Sequence, residues 1–173
     1  TIGWLCEGRN RELGSLGTAI TADDRLSTMS LATAALFSTG ARMSGLLLDV
    51  ERAWVDALSS IGHSIGMAFA ITTDIDRFSH GDPLTGATPA DDIRRGFLTL
   101  PALLADDVAI IDIDVADDAS VDQFYAELAN SDGIAAATEL RDASIDTAIT
   151  DLATLGTESA NLLAQTLTAT LSL

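Results

Sequence analysis

The stretch that decides the fold runs from residue 65 to residue 105 and reads IGMAFAITTDIDRFSHGDPLTGATPADDIRRGFLTLPALLA. Its first residues end an apolar, helix-periodic segment, which predicts one helix over roughly 50–78. Gly62 and Gly66 lie four residues apart in that helix. Each glycine costs about 1 kcal/mol relative to alanine, so we expect a neighbouring backbone to approach them closely. Segment 79–89 holds two glycines and two prolines, and it ends the helix.

Two short helical turns and a connection are predicted after this break. The first turn covers about 90–95 and ends at Gly96, a favourable C-cap residue. The second turn starts at Thr99, with Pro101 in the first turn, where proline is tolerated. Residues 106–118 alternate apolar residues with aspartates, as a strand does. A lone strand has no partner, so we predict an extended connection there.

The aspartates of this connection do not match a calcium-binding loop. Counted from Asp112, the sixth position is Asp117 rather than glycine, and the twelfth is Gln123 rather than glutamate. The favoured interpretation is a solvated acidic loop.

Helical periodicity extends in both directions from the quoted stretch. Residues 2–17 are predicted as an amphipathic helix. Thr21, followed by Asp24 three residues later, predicts the N-terminus of a helix that runs to about residue 48, and Asp49 is expected to cap the next helix. Further helices are expected at about 120–130, 134–154 and 157–171. Helices joined by short connections predict an all-α bundle.

The charge of the chain limits its partners. The formal net charge is −17, all nine cations are arginine, and aspartate outnumbers glutamate by 20 to 6. The resulting field repels nucleic acid and anionic membranes. Complete loss of lysine with excess aspartate favours a salt-adapted (halophilic) source, where salt screens the self-repulsion. The alternative is an ordinary acidic protein.

A few residues predict where the protein is located in the cell and whether the sequence is a fragment. Cys6 is the single cysteine, so no internal disulfide can form, and we predict a cytoplasmic protein in which Cys6 is a small buried group. No signal peptide is visible at the N-terminus. The longest apolar stretch, 31–48, contains Arg42 and several hydroxyls, so we expect a core helix and no membrane span. Because the chain begins at Thr1 rather than methionine, we expect a fragment or a trimmed product.

The quoted stretch resembles the trans-type polyprenyl diphosphate synthase (isoprenoid synthase) family. That family carries a helix with an AFQxxDDxxD-like motif, a GK loop and a DLxxGxxTLP segment. The segment SLATAALFSTGARMSGLL (30–47) is similar to its KTAxLF helix, and residues 133–155 are similar to a late helix of the family. The quoted stretch matches in order and spacing at Ala68, Phe69, Asp74, Gly86, Asp92, Gly96, Thr99, Leu100 and Pro101.

The resemblance implies an isoprenoid-synthase bundle, equivalent to its C-terminal half. It covers about 5–173, and we predict one helical domain over 1–173 or a fragment of a larger bundle. In the family, magnesium ions bridge two Asp-rich helices and the diphosphate of an allylic substrate. Ionisation of that diphosphate gives a carbocation, which a second isoprenoid substrate attacks. The first Asp-rich motif lies outside this chain.

The motifs that carry this chemistry have lost most of their residues. The second Asp-rich motif falls on residues 73–77, where Asp74 is retained as a vestigial metal ligand, but Thr73 and Arg77 replace two carboxylates that share one helix face. The motif glutamine and both motif lysines are alanine. We therefore assign no catalytic residue. Thr33 and Arg94 are candidates for contact with a substrate diphosphate.

These losses predict a non-catalytic partner subunit, a pseudoenzyme in isoprenoid biosynthesis that pairs with a catalytic prenyl diphosphate synthase or with itself. No cofactor is expected, and magnesium is expected only if the protein is active. One alternative is the C-terminal part of an active magnesium-dependent prenyltransferase, and another is an acidic helical structural protein unrelated to isoprenoids. A further alternative has Asp74 and Asp76 form a new metal site while Arg77, Arg94 and Arg95 bind a diphosphate directly. Whether the chain is an enzyme stays open at this point.

Overall fold

The computed structural model describes residues 1–105 and 117–156, together with residues 160 and 165. Its regular secondary structure is helical throughout these residues, which confirms the all-α prediction. The helices, in chain order, are α1 (Ile2–Gly14), α2 (Ala22–Met29), a π-helical turn (Ser30–Ala34), α3 (Ala35–Leu47), α4 (Arg52–His80), α5 (Pro89–Arg94), α6 (Leu100–Leu103), α7 (Asp118–Ala129) and α8 (Gly133–Thr154).

The predicted helix from Thr21 to about residue 48 is present, but a π-helical turn interrupts it between α2 and α3. Its N-terminus is as predicted. Thr21 accepts a hydrogen bond from the Asp24 backbone N–H, and the Asp24 carboxylate accepts one from the Thr21 N–H in return. This capping box satisfies two donors that a helix N-terminus otherwise leaves free.

Two predicted boundaries are wrong. Helix α1 ends at Gly14 rather than at 17, and the chain turns at Gly17, whose φ of +69° suits glycine. Asp49 does not cap the following helix. Its own φ is +51°, and α4 begins at Arg52 with Glu51 in the N-cap position.

Helix α4 is the central element, packed against α3 on one side and α8 on another. A Cβ added to Gly62 would lie 2.7 Å from the backbone oxygen of Phe37, and one added to Gly66 would lie 2.6 Å from the Cα of Ala34. Both distances are shorter than van der Waals contact allows. The predicted close approach of a neighbouring backbone to both glycines is confirmed.

Two short helices, α5 and α6, follow the C-terminus of α4. Helix α5 begins at Pro89 with Thr88 as its N-cap and ends before Gly96, whose φ is +68°. Helix α6 begins after Thr99 with Pro101 in its first turn, as predicted. The predictions for 106–116, and for 157–171 apart from residues 160 and 165, lie outside the described residues.

A buried apolar cluster joins α2, α4, α6 and α8 beneath the segment where the Asp-rich motif falls. Its members are Met29, Ala70, Ile71, Leu100 and Ala137.

Cys6 is exposed on α1 rather than buried, so the prediction that it is a buried group is wrong. Among the described helices, none has both the length and the apolar character that crossing a bilayer requires.

Candidate functional site

Asp74 lies on the buried side of α4 and is held by two other elements. Only 3% of the residue is exposed. Arg25 of α2 donates to both carboxylate oxygens, from Nε to Oδ2 at 2.9 Å and from Nη2 to Oδ1 at 2.5 Å. The backbone N–H of Leu100, at the start of α6, donates to Oδ2 at 2.8 Å. Asp74 therefore ties α2, α4 and α6 together.

The charged state of Arg25 is secured by this pair. Burial alone lowers the pKa of Arg25, but the hydrogen bonds and the charge of Asp74 outweigh that effect, and Glu12 adds to them. The pKa of Arg25 therefore lies above its ordinary value. A buried guanidinium needs such a partner, because an unpaired buried charge is costly.

Arg77, one turn after Thr73, forms a second bidentate pair with a buried carboxylate. Its Nε donates to Asp92 Oδ2 at 2.6 Å and its Nη2 to Asp92 Oδ1 at 2.9 Å. Arg95 donates to the same Oδ1 at 2.8 Å. The hydrogen bonds that Arg77 donates to the Asp92 carboxylate are the main reason that the pKa of Arg77 is raised. This pair joins α4 to α5.

Both guanidinium groups lie over the Phe97 ring. The Arg77 guanidinium carbon is 4.2 Å from the ring centroid and that of Arg25 is 4.7 Å from it. Both distances are within the range of cation–π attraction. The two ion pairs and this ring form one continuous group of side chains, which we call the arginine–aspartate network (Arg25, Asp74, Arg77, Asp92 and Phe97).

A pocket of about 360 Å³ opens beside the network, between α1, α2 and α4. It brings together four of the residues that the sequence singled out, Thr33, Thr73, Asp74 and Arg77. The rest of its lining is Leu5, Arg9, Glu12, Arg25, Thr28, Met29, Ala32, Phe69 and Ala70.

Arg94 is not part of this pocket lining. It donates to Asp91 at 3.2 Å and to Asp118 at 2.7 Å, on the α5–α7 side of the molecule. Thr33 lies half-buried in the π-helical turn. The structure therefore places the two candidate diphosphate contacts in different parts of the chain, and both assignments stay predictions.

The alternative metal pair of Asp74 and Asp76 is divided by the helix. Asp74 is buried, whereas Asp76 is exposed. Within residues 1–105 and 117–156, no three His, Cys, Asp or Glu side chains converge as a metal ion requires.

The residues at the 73–77 segment do not fit magnesium, which the resemblance implies for this site. Magnesium takes six oxygen ligands in near-octahedral geometry at about 2.1 Å. Asp74 presents the one carboxylate at a motif position, and it already accepts three hydrogen bonds. The Thr73 hydroxyl donates to the Phe69 carbonyl oxygen at 2.9 Å, and Arg77 adds positive charge. No catalytic step can be derived through a metal here.

Sequence reasoning missed two members of the network, Arg25 and Phe97. A signal for Arg25 exists in the sequence. It lies one turn before Met29, on the face of α2 that packs inward, and a charged residue at such a position is rarely buried without a partner. The identity of that partner, 49 residues away, has no local signal.

Comparisons with known proteins agree with this architecture. Residues 2–127 match the family described as polyprenyl synthetase. The chain is similar to a nonaprenyl diphosphate synthase of Mycobacterium tuberculosis, at 29% identity over 61% of this chain and 32% of that protein. It is also similar to a prenyl transferase of Synechocystis, at 36% identity over 42% of this chain and 23% of that protein.

Solved structures match nearly all of the chain. A geranylgeranyl pyrophosphate synthase from Lactobacillus brevis matches with a TM-score of 0.83 and 26% identity, over 98% of this chain and 55% of that one. A heptaprenyl diphosphate synthase from Staphylococcus aureus shares the fold with a TM-score of 0.83, over 99% of this chain and 57% of that one. The chain thus spans about half the length of these enzymes, and about a third or less of the curated relatives is aligned to it. It belongs to the polyprenyl synthetase family.

Proposed function

We propose that the chain is a non-catalytic polyprenyl synthase-like subunit that pairs with a catalytic prenyl diphosphate synthase. The observation that carries the proposal is the state of Asp74 and Arg77. One is the retained carboxylate of the second Asp-rich motif and the other replaces a carboxylate, and both are engaged in ion pairs inside the protein. Chemistry that ionises a diphosphate needs cations held at free carboxylates. These side chains instead support packing between helices.

An exposed apolar face supports the pairing part of the proposal. On α3, Leu36, Met43 and Leu47 recur at seven and four residues, and they are 56%, 55% and 82% exposed. The ring of Phe37 lies against that of Phe69 of α4, with centroids 5.5 Å apart and ring planes tilted by 36°, and both residues are also exposed. Apolar side chains in a helical stripe of this kind favour packing against another helix.

Pairing is tested with a mixture of the complete gene product and a catalytic prenyl diphosphate synthase from the same source. We expect a stable complex in size-exclusion chromatography with light scattering, and a product chain length that differs from that of the catalytic subunit alone. Met43→Glu should abolish both effects, because it places a charge in the apolar stripe. As a matched control, Ala143→Glu introduces the same charge at an exposed position of α8. No complex and an unchanged product would refute the proposal.

The second candidate function is catalysis, with this chain as part of an active magnesium-dependent synthase. The observation in its favour is the pocket beside α4, which retains Thr33, Phe69 and Asp74 in its lining. A titration with a non-hydrolysable diphosphate analogue separates the candidates. Catalysis requires affinity that increases with magnesium, whereas the subunit role requires none.

A further inference from the structure

We propose that the guanidinium groups of Arg25 and Arg77 take the place of a metal ion beside the 73–77 segment and so keep this segment free of metal. In this arrangement two guanidinium groups neutralise the buried carboxylates from within the chain, so that no divalent ion is needed. The inference concerns the same site as the proposed function, but it does not depend on pairing with another subunit.

Each buried carboxylate at this face has its own fork of donors. Asp74 receives Nε and Nη2 of Arg25, and Asp92 receives Nε and Nη2 of Arg77. Bidentate pairs of this kind fix geometry as well as charge. Asp74 and Asp92 are 3% and 2% exposed, so water solvates neither carboxylate well.

The carboxylates around the two arginines already face guanidinium groups. Glu12 lies 3.7 Å from Arg25 and Asp82 lies 3.7 Å from Arg77, so the outer acids also face the same two guanidinium groups. A magnesium ion at Asp74 would have to displace Arg25, a residue that is 7% exposed, and leave a buried guanidinium without its partner. It would also meet Arg77 on the same face of α4.

The Phe97 ring couples the two pairs. It contacts both guanidinium groups from the loop between α5 and α6, next to Gly96. The network therefore connects α2, α4, α5 and α6 through side-chain and backbone contacts of the chain itself. Loss of either guanidinium should free a carboxylate and at the same time loosen this loop.

The test compares thermal unfolding of the complete protein in magnesium chloride and in sodium chloride at matched ionic strength. We expect the wild-type Tm to be equal in the two salts. Arg77→Ala should lower Tm by about 5–10 °C in sodium chloride, because it leaves Asp92 with Arg95 alone. Magnesium should recover part of that loss, since carboxylates at this face become free to bind it.

Direct binding is measured by electron paramagnetic resonance of Mn²⁺ as the probe ion. Wild type and the control variant Arg141→Ala, which removes a pair with Asp142 that is not part of the network, should bind equally weakly. Arg77→Ala should bind more Mn²⁺. If Arg77→Ala does not fold, Arg77→Lys keeps the charge but loses the fork, and it should lower Tm without any gain in Mn²⁺ binding.

Three results would overturn the inference: a wild-type Tm that is higher in magnesium than in matched sodium chloride, an Arg77→Ala variant with wild-type Tm, or an Arg77→Ala variant that gains no Mn²⁺ binding. None of these results depends on prenyl transfer or complex formation. A failure here is thus distinguishable from a failure of the proposed subunit role.

Discussion

At the scale of single residues, Asp74 has a structural task that its place in the motif does not reveal. Its two oxygens accept hydrogen bonds from a side chain on α2 and from the backbone of Leu100 on α6. Through these partners, the Asp74 carboxylate links α4 both to α2 and to the first residue of α6. The same residue type at the same motif position therefore serves packing here.

Removal of either member of the Arg25–Asp74 pair should destabilise the protein strongly. We expect Arg25→Ala or Asp74→Ala to cost about 3–5 kcal/mol, because each leaves an unpaired buried charge. The double variant should cost less than the sum, with a coupling energy above about 1 kcal/mol. Urea denaturation of the four proteins measures this cycle.

The exposed pair Arg42–Asp56, 3.1 Å apart, is the matched control for that cycle. Its coupling energy should stay below about 1 kcal/mol, as is usual for surface pairs. Purely additive effects at Arg25 and Asp74 would contradict a coupled buried pair.

The helix caps predict how stability responds to acid. Backbone hydrogen bonds from Thr21 and Thr88 lower the pKa of Asp24 and Asp91 below their ordinary value of 3.8. A carboxyl with a lowered pKa stabilises the fold above that ordinary value, and the stabilisation is lost as the pH falls through the lower value in the folded state.

We therefore expect Asp24→Asn and Asp91→Asn to lower the urea midpoint at neutral pH. The difference from wild type should shrink as the pH falls below 3.8 and vanish in stronger acid. Urea titrations over this pH range test the prediction. A difference that stays constant with pH would show that the charge of these caps has no role.

The extent of prediction from sequence differs between these residues. The cap at Thr21 was predictable because a capping box is local, with all its partners within three residues. Arg25 and Asp74 lie 49 residues apart, and no periodicity or spacing links them. The replacement of two motif carboxylates by Thr73 and Arg77 was visible in the sequence, but the partners of Asp74 and Arg77 appear only when α2 and α5 are in place.

At the scale of elements, α4 is held close to its neighbours by its glycines. Of the two glycines Gly62 and Gly66, Gly66 has the closer neighbour, because a Cβ added there would lie 2.6 Å from the backbone of Ala34 in the π-helical turn. Helix α4 was predicted from apolar periodicity and the close approach of its neighbour from the glycine pair, since both features lie within one segment. The start of α4 and the end of α1 were not, because the chain adopts positive φ at Asp49 and Gly17, which the predicted helix ends did not include.

Gly66→Ala should destabilise the α4 contact. The added Cβ would lie 2.6 Å from the Cα of Ala34, so the helices must separate, at a cost of about 1–3 kcal/mol. Gly40→Ala on α3 is the matched control, because nothing lies within 4 Å of its added Cβ. It should stabilise by up to about 1 kcal/mol through helix propensity. Thermal unfolding measures both, and equal shifts would contradict close packing at Gly66.

At the scale of the whole molecule, the order of the motifs predicted the fold family. The net charge is the basis for predicting the response to salt, and the exposed apolar faces are the basis for predicting pairing. The order of the motifs in residues 65–105 was sufficient for the family because it reflects a helix, a turn and a second helix at fixed separations. The sequence predicted a class of partner but not its identity, because a partner's side chains leave no trace in the periodicity of this chain.

The charge of −17 predicts that salt stabilises the protein. Self-repulsion is screened as ionic strength rises, so Tm should increase steadily with potassium chloride. The same series on Arg25→Ala separates screening of the surface from any weakening of the buried pair. A Tm that falls with salt would contradict the salt-adapted interpretation.

We propose that the 73–77 segment does not support metal-dependent prenyl transfer. The most direct test is transfer by the complete gene product, supplied with magnesium, an allylic diphosphate and a labelled second isoprenoid diphosphate. We expect no labelled product above that of a reaction without protein. Labelled product that requires magnesium and is lost in Asp74→Asn, in a variant shown to remain folded, would contradict it.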